Sequence, residues 1–275
     1  MLARLQTRTP TEKSRAFLVR ARAILEVEAD DRALLNLHRN NEAAVHQRMI
    51  IVAAHRRRRG WNPEIVVTGR ERLFEARTKG RGVILWSDPF VHSAIIGKRA
   101  LAEAGYRVWH LSTTGHGILN SPLANKYLNP RVIEVELRYL AERVVFKASS
   151  PTAAARRMVA ILDEGGVVSL TNNAFAGKKF GTSFGNGVEL SLAQTPLRLA
   201  AQGVPLLPFQ VIERDPFRRY EVILGPDLSE VAHPDATDPV QAVASAYAAY
   251  LIERARAHPE QFAGWPMMRV AGEGS

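Results

Sequence analysis

The sequence predicts an α/β fold: a mostly parallel central sheet with helices on both faces, an N-terminal helical pair and a C-terminal helix. Downstream of residue 63, short runs rich in β-branched residues alternate with stretches of helical periodicity, the pattern of βαβ units. Those runs are continuously apolar, as strands covered on both sides of a sheet are. At 275 residues, 46% of them hydrophobic, the chain is long enough to bury a substantial core. The division expected is an N-terminal helical segment, 1–62, packed on a main α/β domain, 63–275.

In chain order, residues 11–28 and 32–58 read as helices, the second with a stripe of Leu34, Leu35, His38, Ala43 and Val45. Asp30 and Asp31 offer its cap, and Gly60 and Pro63 in GWNPE end the pattern. The strands expected are EIVVTG (64–69), GVILW (82–86), YRVWHL (106–111), RVVFK (143–147), GVVSLT (166–171), VPLLPFQVI (204–212) and RRYEVIL (218–224). Helices are expected between many of them, at 70–79, 91–104, 121–141, 151–164 and 187–202. ERDPFRR joins the last two strands as a hairpin, which makes that pair antiparallel. Gly203 closes the preceding helix, and Pro205 and Pro208 bracket a buried strand. A Pro/Asp-rich connection, Pro226 to Pro239, leads to a final helix over 238–257.

Composition narrows the chemistry. The chain contains no cysteine, which excludes disulfides, thiol nucleophiles and cysteine metal sites. No run approaches the ~18 uninterrupted apolar residues of a membrane span, and the first 25 residues carry charges where a secretory signal would be apolar. The expected location is the cytoplasm, with peripheral contact at the inner membrane surface. A formal net charge of +10 suits phosphates, anionic headgroups, nucleic acid or an acidic protein. The densest basic run, Arg56 to Arg59, reads as a solvated helix end. It has no interleaved aromatics to stack bases, so nucleic-acid binding is the minor reading.

Two strand ends carry polar groups. In SDPFVH, Asp88 can cap a helix starting at Pro89, and His92 then sits on its first turn. The same spacing lets a carboxylate orient an imidazole that acts as a base, and both readings stand. In LTNN, Asn172 and Asn173 end an apolar run and lead into AFAGKKFGTSFGNG, 174–187. Backbone amides at Gly177, Gly181, Gly185 and Gly187, with Lys178 and Lys179, can hold a phosphate or an oxyanion, or the segment is a plain surface loop. It lacks the order of a P-loop. His110 and His116 flank STTG and could reach a site at the strand ends, but the surface is the position expected for both. No metal site is expected, because no histidine pair has helix-face spacing with a carboxylate.

Taken in order, several segments resemble the bacterial lipid A late acyltransferases, the lauroyl and myristoyl transferases of the lysophospholipid acyltransferase superfamily. They are VTGRERL (67–73), GRGVIL (80–85), GGVVSL (165–170), FGTSFG (180–185), LRLAAQGVPLLP (197–208) and HPEQF (258–262), and they span about 64–265. The family's H-x4-[DE] motif follows its GkGvIll strand. Here Ser87 stands in place of the histidine and His92 in place of the carboxylate. Asn172 and Asn173 stand where the family has an aspartate, and Pro266, Met267 and Met268 replace its closing H-R-R. The family's N-terminal membrane anchor is expected to be absent.

The resemblance implies an acyltransferase-like domain that moves an acyl group from a thioester to a hydroxyl or amine. The donor it implies is acyl carrier protein or coenzyme A as co-substrate, with no resident cofactor. His92 is then the expected base and Asp88 its partner, with Ser87, Asn172, Asn173, Lys178, Lys179 and Gly181 on the substrate. An acidic carrier protein suits the basic chain. The alternatives are a catalytically inactive homologue that binds lipid or a partner protein, and an amide-forming transferase that takes its donor from aminoacyl-tRNA.

Overall fold

The computed structural model describes residues 11–26, 30–56, 61–113, 122–146, 151–171, 178–183, 187–232 and 237–270. Two helices come first, α1 (Glu12–Leu25) and α2 (Asp31–Arg56). The Thr11 side chain caps α1 by accepting from the Ser14 amide at 3.2 Å. Alternating elements follow: β1 (Glu64–Thr68), α3 (Arg70–Thr78), β2 (Val83–Ser87), α4 (Ile95–Glu103) and β3 (Val108–Thr113). A π-helical turn (Ala124–Leu128) runs into α5 (Asn129–Leu137), and then come β4 (Glu142–Phe146), α6 (Pro151–Asp163) and β5 (Val167–Thr171). The chain continues through β6 (Lys179–Ser183), β7 (Val188–Ala193), α7 (Gln194–Ala201), β8 (Leu206–Asp215) and β9 (Arg219–Leu224). It ends with α8 (Pro239–Ala257) and β10 (Met268–Val270).

The fold is α/β. Seven strands form the main sheet in the order β1-β9-β8-β2-β5-β3-β4. Strands β8, β2, β5, β3 and β4 are parallel, and the β8–β9 hairpin is antiparallel as its short connection requires. Strand β2 is central, and all five of its residues are buried, in keeping with its unbroken VILW run. A small antiparallel sheet, β10-β7-β6, lies apart from it.

Each face of the main sheet has its own core. Ile84, Trp86, Val168, Leu170 and Leu206 pack with residues of α1, α6, α7, α8 and the small sheet. Val83, Leu85, Val167, Leu207 and Phe209 pack with residues of α3, α4, α5 and the end of α2. Gly97 allows α4 to lie this close, since a Cβ there would come within 2.6 Å of the Phe209 ring.

Several expectations are corrected. The helix expected at 187–202 is two elements. Val188–Ala193 alternates buried and exposed positions as β7, and only Gln194–Ala201 is helical. Part of the loop expected at 174–187 is β6, paired with β7 from Lys179↔Ala193 to Ser183↔Glu189. Pro208 sits inside β8, not at its margin. The helix expected from Pro89 starts at Ile95, so Asp88 does not cap it. The intervening residues are bonded elsewhere: the Val91 amide donates to the Gln261 carbonyl at 2.9 Å, and the Ala263 amide to the Pro89 carbonyl at 2.6 Å. Arg56 closes α2; the rest of the basic run, with His116, lies outside the described residues.

Candidate functional site

The strand order creates a switch point. From β2 the chain crosses by α4 on one face to β3, while from β5 it crosses by α7 on the opposite face to β8. Strands β2 and β5 are neighbours, so their carboxyl ends flank the crevice where open α/β sheets bind ligands. Ser87, the last residue of β2, is paired with Thr171, the last of β5. The two polar strand ends singled out in the sequence are thus brought side by side. Asn172 and Asn173 follow Thr171 directly and lie outside the described residues.

Asp88 and His92 do not form a pair. The Asp88 side chain lies on the α8 side of the sheet and accepts from the Tyr247 hydroxyl at 3.0 Å. Burial pushes its carboxyl well above the usual carboxylate range, against the opposing effects of the Tyr247 bond and the Arg254 charge. His92 turns instead to the β8–β9 hairpin. Its Nε2 is 3.7 Å from Glu213 Oε2, and its ring meets Tyr220 edge-on with centroids 5.2 Å apart. The Tyr220 hydroxyl donates to Glu213 Oε1 at 2.7 Å, which fixes the carboxylate facing the histidine. The His92 side chain is 0% exposed.

Gln261 holds this arrangement together. Its Oε1 accepts from the Glu213 amide at 2.8 Å and its Nε2 donates to the Glu213 carbonyl at 3.0 Å. Asn41 of α2 in turn donates to the Phe262 carbonyl at 2.6 Å. The HPEQF segment therefore clamps residues 89–92 against β8.

No protein-family model matches the chain, and no curated protein matches it. The site is therefore read from its own geometry.

Under α4 and α5 lies a second polar group that the sequence reading missed. His110 Nδ1 is 2.8 Å from Ser169 Oγ across β3 and β5, which corrects the surface position expected for this histidine. One strand over, Arg143 donates to Ser112 Oγ at 3.1 Å and to the Thr113 carbonyl at 2.6 Å. Lys98 Nζ and Glu136 Oε2 form an ion pair at 3.0 Å with side chains 3% and 0% exposed. Burial lowers the Lys98 pKa, and the Glu136 carboxylate opposes that shift. These residues were legible in part, because Lys98, with Arg99, breaks the apolar run of IIGKRAL and Ser169 interrupts VVSL.

Lys179 and Gly181 lie on β6, and Lys178 stands just before it, next to residues outside the described ones. The Lys178 carbonyl accepts from the Gln194 amide at 3.1 Å, and Lys179 and Gly181 are exposed. A Cβ on Gly181 would meet nothing within 4 Å, so no close approach requires the glycine. Gly177 and Gly185 lie outside the described residues. Among the described residues, no group of three or more His, Asp or Glu side chains is placed to hold a metal ion. Nor is any helix among them long and apolar enough to cross a membrane.

Proposed function

We propose that the chain transfers an acyl group from a thioester of acyl carrier protein or coenzyme A to a hydroxyl or amine, at the carboxyl ends of β2 and β5. The observation that carries this reading is the pairing of Ser87 with Thr171 at the switch point, which puts the two polar strand ends into one crevice. The order of segments that resembles the lipid A late acyltransferases supports it. His92 is the proposed base, with Glu213 in the role the sequence reading had given to Asp88. In the reaction the imidazole takes the proton of the acceptor O–H or N–H as that atom attacks the thioester carbonyl carbon. The tetrahedral intermediate then expels the thiolate, which leaves with that proton as the free thiol. Because His92 is fully buried, residues 89–92 must shift from their Gln261 clamp to admit the acceptor.

That same burial favours a second reading, in which the chain binds an acyl ligand without turning it over. Thiol release from acyl-coenzyme A and acyl carrier protein, supplied with a total lipid extract as acceptor, separates the two. Acyl transfer requires steady release by the unaltered protein, with His92→Ala slower by about 10²–10⁴-fold and Glu213→Gln also impaired. Equal rates in all three proteins remove His92 from the mechanism. Saturable ligand binding with no release supports the second reading.

A further inference from the structure

On the α8 side of the sheet, polar groups gather around Asp88 without partners. Its amide donates to the Phe209 carbonyl at 2.8 Å, the bond that in a parallel ladder sets Asp88 beside Gln210. Asp88 is 1% exposed, and Gln210 and Trp86 are each 0% exposed. Trp86 stacks on Tyr247, ring centroids 4.5 Å apart, so α8 covers Trp86 and, through the Tyr247 hydroxyl, Asp88. Asp88 Oδ2, both amide atoms of Gln210, Trp86 Nε1 and the Tyr250 hydroxyl have no hydrogen-bond partner among the described residues. Buried polar groups are rarely left unpaired, and several in one place call for a shared partner.

The balance of donors and acceptors selects that partner. The Tyr247 hydroxyl occupies Asp88 Oδ1 at 3.0 Å, so in the neutral acid favoured by burial the proton sits on Oδ2 and points away from the tyrosine. Asp88 O–H, the Gln210 NH₂ and Trp86 N–H are then all donors, the Tyr250 hydroxyl can donate or accept, and the Gln210 oxygen is the one group of the set that only accepts. A group that only accepts satisfies them. A full anion is not called for: Arg254, a nearby cation, shares its charge with Glu253 through Nη2, and its buried Nε adds one more donor that a neutral acceptor also satisfies. We infer that Asp88 and Gln210 bind the carbonyl oxygen of an uncharged acyl ligand beneath α8. This deepens, and as to ligand class rests on, the acyl-transfer reading.

The test compares methyl octanoate labelled with ¹³C at the carbonyl with 1-methoxyoctane, which has the same chain and no carbonyl. The ester should bind about tenfold tighter, the size of one lost hydrogen bond, and its bound carbonyl resonance should move downfield. Asp88→Asn keeps a donor and should hold the ester within about threefold of the unaltered protein. Asp88→Leu and Gln210→Met should reduce the ester to the affinity of the ether. If Asp88→Leu does not fold, Gln210→Met, of similar volume, carries the comparison. Equal affinity of ester and ether, an unmoved carbonyl resonance, or no saturable ester binding would overturn the inference. Turnover is a separate readout. Ester-selective binding without thioester turnover leaves this site standing and removes the transferase, while turnover with no ester selectivity does the reverse.

Discussion

Replacing Lys98 by methionine tests how far the buried polar groups under α4 and α5 hold the site together. The substitution keeps most of the side-chain volume and removes the ammonium that lies 3.0 Å from Glu136. Breaking a pair this deeply buried costs about 3–5 kcal/mol, mainly because a buried carboxylate loses its compensating charge. Arg143 acts on the same carboxylate through its charge, which sets the expectation at the low end, about 3 kcal/mol. Urea unfolding should show a lower midpoint with an unchanged slope. The double replacement Lys98→Met with Glu136→Leu removes both charges and should recover most of the loss, since well-packed apolar substitutes for a buried pair are often neutral or stabilising. A single replacement costing under about 1 kcal/mol, or a double replacement less stable than the single one, would refute the reasoning.

Other outcomes follow from the same structure. Asp88 holds its proton more tightly folded than unfolded, so its contribution to stability is full below the unfolded pKa near ~4 and is lost as pH rises through the folded value. Asp88→Asn should therefore match the unaltered protein in acid and become relatively more stable as pH rises above about 4, as followed by thermal melts across pH; a constant difference contradicts the buried carboxyl. Gln261→Leu removes two bonds to Glu213 and should cost about 1–3 kcal/mol, with faster hydrogen exchange at the Glu213 amide as the local readout. Gly97→Ala drives a methyl to 2.6 Å from the Phe209 ring and should destabilise by about 1–3 kcal/mol despite alanine's better helix propensity; an increase in melting temperature would show that α4 can lift without cost.

Much of the fold was legible because the strongest signal, unbroken apolar runs such as VILW and VVSL, reports burial on both faces directly. The hairpin was legible from its short linker. The small sheet was not, because FGTSFGNG looks like punctuation and VELSLA was absorbed into the helical stretch after it. Read alone, VELSLA has the period of two that the structure shows as β7. At the site, spacing placed Asp88 and His92 correctly at the end of β2 but could not reveal their partners. Tyr247, the partner of Asp88, lies 159 residues away in the chain, and Glu213, which faces His92, lies 121 residues away (213 − 92), and only tertiary packing selects them. The helix start at Ile95 was illegible for the same reason: the bonds that hold residues 89–91 come from Gln261 and Ala263.

The most direct test of the central claim is where an acyl thioester touches the chain. A diazirine-bearing acyl-pantetheine can be photolysed with the protein and the labelled peptides mapped by mass spectrometry. Acyl transfer at the switch point requires labelling of peptides containing residues 86–92 and 169–171, suppressed by excess unmodified thioester. Labelling confined to the other edge of the sheet, at β4, or labelling that unmodified thioester does not suppress, would contradict it.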